Sequence, residues 1–114
     1  MKMRIGDTPV EVAWESNESV DALKELAQSG LTIPMSMYGG FEQVGPIGRR
    51  LPSQDEQTNT SSGDIVLYSS SQLVVFYDSN SWAYTRLGHI TDKTPEEMRA
   101  LLGRGDVIIT ISIE

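Results

Sequence analysis

The chain has 114 residues, with 16 acidic and 9 basic side chains, a net charge of −7 and no cysteine. That length fits one domain, residues 1–114, able to bury a single core without crosslinks, and the missing cysteines exclude a disulfide framework and thiolate chemistry. The acidic balance argues against sequence-independent binding to nucleic acid or anionic membrane, because both surfaces are negative.

The start, "MKMRIGDTPV", lacks the apolar core of a signal peptide, and no stretch approaches the roughly 18 apolar residues of a membrane span. The expected location is the cytoplasm. "MRIGDTPVEVAW" alternates around a Gly6-Asp7 turn signal, with Val10, Val12 and Trp14 on one face, which predicts a hairpin or two successive strands. "SNESVDALKELAQSG" predicts a helix with Ser16 or Asn17 as N-cap, an apolar stripe of Val20, Leu23, Leu26 and Ala27, and Gly30 as its stop.

"LTIPMSM" returns to period two, placing Leu31, Ile33, Met35 and Met37 on one side, with Pro34 confined to an edge or bulge. "MYGGFEQVGPIGRRLP" then packs glycines, prolines and aromatics into a turn-rich stretch. The segment Leu51 to Gly63 is polar and aperiodic, and reads as a loop that is either functional or mobile.

"DIVLYSSSQLVVFYD" predicts two strands joined by a serine turn, each apolar on both faces, as strands are in the middle of a barrel or under a helix. "SWAYTRLGHI" is a further strand, with Trp82, Tyr84, Arg86 and Gly88 on one face. "TPEEMRALLG" carries a full set of helix signals: Thr94 as N-cap, Pro95 at N1, Glu97 closing a capping box and Gly103 as stop. "DVIITISIE" closes the chain as a strand with Val107, Ile109, Ile111 and Ile113 on one face. The order predicts a mainly β fold, a closed barrel capped by two helices.

The glycine-rich stretch is not a phosphate loop. Pro46 and Pro52 follow it, no helical period starts there, and no Gly-Lys-Ser/Thr occurs. His89 is the sole histidine, too few for a metal site, and no Gly-x-Ser-x-Gly elbow is present. The paired acids Asp55-Glu56 and Glu96-Glu97 have neither glycosidase nor calcium-loop character. No catalytic residue, metal ligand or cofactor is therefore assigned.

Several strings resemble the cyclophilin fold. "GDTPVEVAWESNESVDALKEL" is similar to the cyclophilin hairpin and first helix, and "IPMSMYGG" to the Ile-Pro-x-Phe-Met-x-Gln-Gly-Gly run along the cyclophilin proline pocket. "YGGFEQVG", "SGDIVLY", "LVVFY" and "YTRLGHI" resemble small bacterial and archaeal cyclophilin-like proteins. The resemblance implies a cyclophilin-like barrel over nearly the whole chain. It does not carry peptidyl-prolyl isomerase activity with it. The arginine that polarises the prolyl amide corresponds to Leu31, the pocket phenylalanine and glutamine correspond to Ser36 and Tyr38, and the Asn-Ala-x-Pro-x-Thr-Asn loop is replaced by "YSSSQ".

The expected site is a ligand-binding groove lined by Tyr38, Phe41, Glu42, Arg49, Tyr84 and Arg86. In that reading Arg86 recognises a carbonyl or carboxylate of a peptide or small molecule. A structural use of Arg86 requires an acid within the chain, Glu42 or Asp64. The expected function is a cyclophilin-like binding module. The alternatives are a weak prolyl isomerase using Arg49 or Arg86, and an accessory domain acting through a protein partner. The sequence does not fix an oligomeric state.

Overall fold

The computed structural model describes residues 1–113. The described residues are mainly β, with two helices. Strands β1 (Lys2–Ile5) and β2 (Thr8–Val10) form the hairpin predicted around Gly6-Asp7, and β3 (Val12–Trp14) follows at once. Helix α1 (Glu18–Ala27) starts at Asn17, whose side-chain oxygen accepts from the Val20 N–H, and buries Val20, Leu23 and Ala27.

Strands β4 (Leu31–Pro34), β5 (Ser36–Tyr38), β6 (Glu42–Pro46), β7 (Glu56–Asn59), β8 (Asp64–Tyr68), β9 (Gln72–Phe76) and β10 (Ser81–Ile90) come next. Helix α2 (Pro95–Leu102) has the capping box read from "TPEE", and β11 (Ile108–Ser112) ends the fold. Among the described residues, no helix is long and apolar enough to cross a membrane.

The strands form two sheets rather than one closed ring, which corrects the closed-barrel expectation. One sheet has the order β2-β1-β11-β4; the other runs β3-β10-β8-β9-β6-β5, with β7 also paired to β10. The split lies where β4 passes into β5. Ile33 on β4 pairs with Ile109, whereas Ser36 on β5 pairs with Val44. At the crossing, a Cβ on Gly45 would fall 2.5 Å from the Pro34 carbonyl oxygen and 2.6 Å from Met35 Sδ. Only glycine permits that approach of the two sheets.

The main core lies between the sheets and under both helices, built from Met3, Ile5, Leu23, Ile65, Leu67, Leu73, Val75, Leu87, Met98, Leu102, Ile109 and Ile111 among others. A second, smaller cluster of Val66, Val74, Phe76 and Tyr84 occupies the opposite face of the seven-stranded sheet. Alternation explains both. Odd-numbered Ile65, Leu67, Leu73 and Val75 go to the main core, and even-numbered Val66, Val74 and Phe76 to the other face. The double-sided apolarity of β8 and β9 thus marks a central pair of strands with different covers on its two faces.

The polar segment after Leu51 is not structureless. Residues Glu56–Asn59 form β7, in register with Ser81–Tyr84 of β10. Upstream, the Gln54 N–H donates to Thr85 Oγ1 at 3.0 Å, and Thr85 donates to Asp55 at 2.6 Å. Ser53 and Ser70 hydroxyls meet at 2.7 Å. Backbone pairing and hydroxyl bonds hold this segment where apolar anchors are absent.

Candidate functional site: an aromatic cavity over the second face of the large sheet

The second apolar face of β8 and β9 is covered by rings rather than by a helix. Tyr38, Phe41, Phe76, Tyr84 and Tyr68 form a continuous series. Successive centroids lie 6.2, 6.4, 5.6 and 6.1 Å apart, stacked at Phe41–Phe76 and edge-on at the other three contacts. These are normal attractive distances for aromatic pairs. Phe41 is fixed because its carbonyl accepts from both Tyr77 N–H (2.9 Å) and Asp78 N–H (3.2 Å). Gly39 takes a left-handed φ of 66°, and a Cβ there would sit 2.2 Å from the Phe41 ring. The glycine turn between β5 and β6 is therefore what lets Phe41 fold back over its own loop.

Between these rings lies an open cavity of about 480 Å³, lined by Tyr38, Phe41, Glu42, Val44, Tyr68, Asn80, Trp82 and Tyr84. Its volume is in the range of small-molecule sites. Tyr38, Tyr68 and Trp82 are among the few large hydrophobic side chains exposed on the molecule, and all three border this cavity. Apolar surface left exposed in one place commonly marks a binding site.

Among the described residues, Glu42 is the only charged one in the lining. It is 6% exposed, and no hydrogen bond or ion pair to its side chain is present among the described residues. Burial among apolar groups raises its pKa to about 7, from an ordinary value of 4.5. Burial also raises the Tyr84 phenol above its ordinary value, opposed by the hydrogen bond that Asn80 Nδ2 donates to Tyr84 Oη at 2.8 Å.

Of the six expected site residues, the structure gathers Tyr38, Phe41, Glu42 and Tyr84 around this cavity and leaves two outside it. Arg49 is exposed in the turn after β6 and is not part of the lining. Arg86 shares a sheet face with the second apolar cluster, since it stands opposite Val66 in the β8–β10 register. Its side chain nonetheless turns toward the start of β8, where Nη1 donates to Asp64 Oδ2 at 3.2 Å and Nη2 to the Asn59 carbonyl at 3.0 Å. The chain itself offers Arg86 a carboxylate. The partner is Asp64, not Glu42.

Asp64 is a hub that sequence reading did not assemble. Its buried carboxylate lies 2.7 Å from His89 Nδ1, and it also accepts from the Ser61 N–H at 2.9 Å and from Arg86. Ser61 hydroxyl contacts the carboxylate at 3.5 Å, not the imidazole. The geometry is that of a shared structural anion, because a nucleophilic serine would have to hydrogen-bond the histidine. A second cavity of about 410 Å³, also bordered by Tyr84, lies between the start of α1 (Asn17, Glu18, Ser19), residues Pro52, Ser53, Gln54 and Glu56, and Thr85 and Arg86. Glu15, Glu18, Glu56 and Arg86 give it mixed charge. Among the described residues, no group of three or more His, Asp or Glu side chains is arranged to hold a metal ion.

Trp82 and Tyr68 are the lining residues that sequence reading left out. Their signal was present in the alternation, since Trp82 shares a strand face with Tyr84, and Tyr68 shares one with Val66.

No curated protein and no solved structure matches this chain. A family model described as the cyclophilin-like family matches residues 3–112, nearly the whole sequence. By that match, and in keeping with the strings from the first hairpin to the last strand, the chain belongs to the cyclophilin-like family.

Proposed function

We propose that this chain is a binding module that takes a peptide side chain or a small molecule into the aromatic cavity and performs no chemistry on it. The observation that carries the reading is the convergence of Tyr38, Tyr68, Trp82 and Tyr84, three of them exposed, around one cavity with a single polar charge in it. Exposed rings are costly to hydrate and gain most when a ligand covers them. Neither Arg49 nor Arg86 lines the cavity, which leaves the prolyl isomerase alternative without a group to polarise an amide there.

The two tryptophans supply an internal control. Trp82 borders the cavity, whereas the Trp14 indole donates to the Met1 carbonyl at 3.1 Å on β3. A screen of small fragments and proline-containing peptides, followed by the two indole N–H signals, is expected to give ligands that shift Trp82 and leave Trp14 in place. Trp82→Ala should weaken such ligands about tenfold without altering the fold, because the residue is mostly exposed. Ligands at 100 times their Kd should stabilise the protein by about 2.7 kcal/mol. Shifts confined to other surfaces, or accelerated prolyl isomerisation abolished by Arg86→Ala, would overturn the reading.

A further inference from the structure

The cavity has a chemical preference opposite to the one that an arginine would have given it. Among the described residues, its lining carries one carboxylate and no basic side chain. Glu42 is 6% exposed as a residue, its carboxylate borders the open space, and it has no partner among the described residues. An ionised carboxylate largely removed from water without a counter-charge is unfavourable, so it takes up a proton more readily or acquires a cation.

The rings around it favour the same sign. The faces of Trp and Tyr carry the negative part of the ring quadrupole and attract cations, most strongly where water is excluded. Trp82, Tyr68 and Tyr84 are all present, and the net charge of −7 adds a long-range attraction for positive ligands.

The composition of the walls narrows the cation further. Besides the Glu42 carboxylate, the phenol oxygens of Tyr38, Tyr68 and Tyr84 and the Asn80 side-chain oxygen can accept from a donor. The larger part of the lining is ring and aliphatic surface from Phe41, Val44, Tyr68, Trp82 and Tyr84. An alkylated ammonium sets its charge against the ring faces and its alkyl groups against that apolar surface.

We propose that the aromatic cavity is a site for an alkylated ammonium group, held among Trp82, Tyr68 and Tyr84 and neutralised by the Glu42 carboxylate. This rests on the reading of the cavity as a ligand site and names the class of ligand. The group can arrive as a free quaternary amine or on a methylated lysine of a peptide; the recognition chemistry is the same.

The raised Glu42 pKa gives the site a pH signature. The titratable groups facing Glu42 across the cavity are the phenols of Tyr38 on β5, Tyr68 on β8 and Tyr84 on β10. Phenols ordinarily ionise near pH 10, so a change between pH 6 and 8 belongs to Glu42. Cation binding is therefore expected to strengthen about tenfold from pH 6 to pH 8.

The test compares choline with its uncharged carbon isostere, 3,3-dimethylbutan-1-ol, on wild-type protein and on Glu42→Gln, followed by the Trp82 indole signal and by calorimetry. A short peptide bearing trimethyllysine forms a third arm, and its affinity relative to choline distinguishes a peptide source from a free amine. The expected result is choline binding at least tenfold tighter than the isostere, with that preference lost in Glu42→Gln while the isostere is unaffected. Equal binding of choline and isostere would overturn the cation assignment and leave the cavity reading standing. Absence of any Trp82 response to all three probes would overturn both for groups of this size. Binding that strengthens below pH 7 would also overturn the assignment, since it would mean that the protonated Glu42 acts as a hydrogen-bond donor to a neutral ligand.

Discussion

Glu42 and Phe76 stand directly opposite each other across the β6–β9 ladder, so a carboxylate leaves the strand beside a ring with no solvent exposure. Directly paired residues share a sheet face with Cβ atoms only about 5 Å apart. The register thus forces the charge into the aromatic cluster, and no described residue offers it a counter-charge there.

That placement makes Glu42 a destabilising residue above neutral pH. Its folded-state pKa of about 7 lies above the ordinary 4.5, so between those values the folded protein holds a proton that the unfolded chain has released. Stability is then lost as pH rises through this window and is level on either side of it. Glu42→Gln should match wild type at pH 4 and exceed it by about 1–3 kcal/mol at pH 8. Urea denaturation of both proteins at the two pH values measures this. A variant less stable than wild type at pH 8 would mean that the carboxylate has a favourable partner in the folded state.

Arg86 is expected to matter for stability and not for the aromatic cavity. Its side chain is 43% exposed while Asp64 is 7% exposed, so Arg86→Met removes a partly solvated bond and should cost about 0.5–2 kcal/mol. Asp64→Ala should cost more, about 2–4 kcal/mol, because Arg86, His89 and the Ser61 N–H all lose their acceptor. Ligand affinity at Trp82 should be unchanged in Arg86→Met. A loss there greater than about threefold would return the arginine to the site.

Helix α2 differentiates two adjacent leucines. Leu102 is fully buried and Leu101 only partly, so Leu102→Ala should cost about 2–5 kcal/mol and Leu101→Ala clearly less. Reversal of that order in thermal denaturation would mean the helix packs on its other face.

Thr85 is expected to control the segment before β7. Thr85→Val removes the acceptor of the Gln54 N–H and the donor to Asp55, while keeping the shape of a buried strand residue. The expected outcome is faster amide exchange at Gln54 and proteolytic nicking near Asp55, with the β8–β9 ladder still protected. Unchanged exchange at Gln54 would show that pairing of β7 with β10 alone holds the segment.

The element order was largely legible because local signals agreed with tertiary ones. The capping box at Thr94, the Asn17 cap and the Gly6-Asp7 turn each satisfy backbone groups within a few residues. β7 was not legible, since Gln57, Thr58 and Asn59 carry no apolar alternation and gain their structure from a distant strand. Barrel closure was over-read for a related reason. Strands apolar on both faces show that each face is covered without saying by what. Here one face meets the main core and the other meets a patch of rings.

Turns and a period-two strand displayed four of the six expected residues together, Tyr38, Phe41, Glu42 and Tyr84, and the structure places these four around the aromatic cavity. Arg86 lies on the face read from the sequence, but its side chain reaches Asp64 and not the aromatic cavity. A long side chain on a sheet reaches diagonal neighbours as well as those directly above it, and Asp64 was within that reach.

The central claim is that the cavity is built around an unpaired, buried Glu42 carboxylate. Titrating the Glu42 side-chain carboxyl carbon by NMR in the free protein tests this most directly, with Glu42→Gln identifying the signal. The account gives a midpoint near pH 7, falling toward the ordinary range when the cavity is saturated with choline. A midpoint near 4.5 in the free protein would contradict it, because the carboxylate would then already be solvated or already paired.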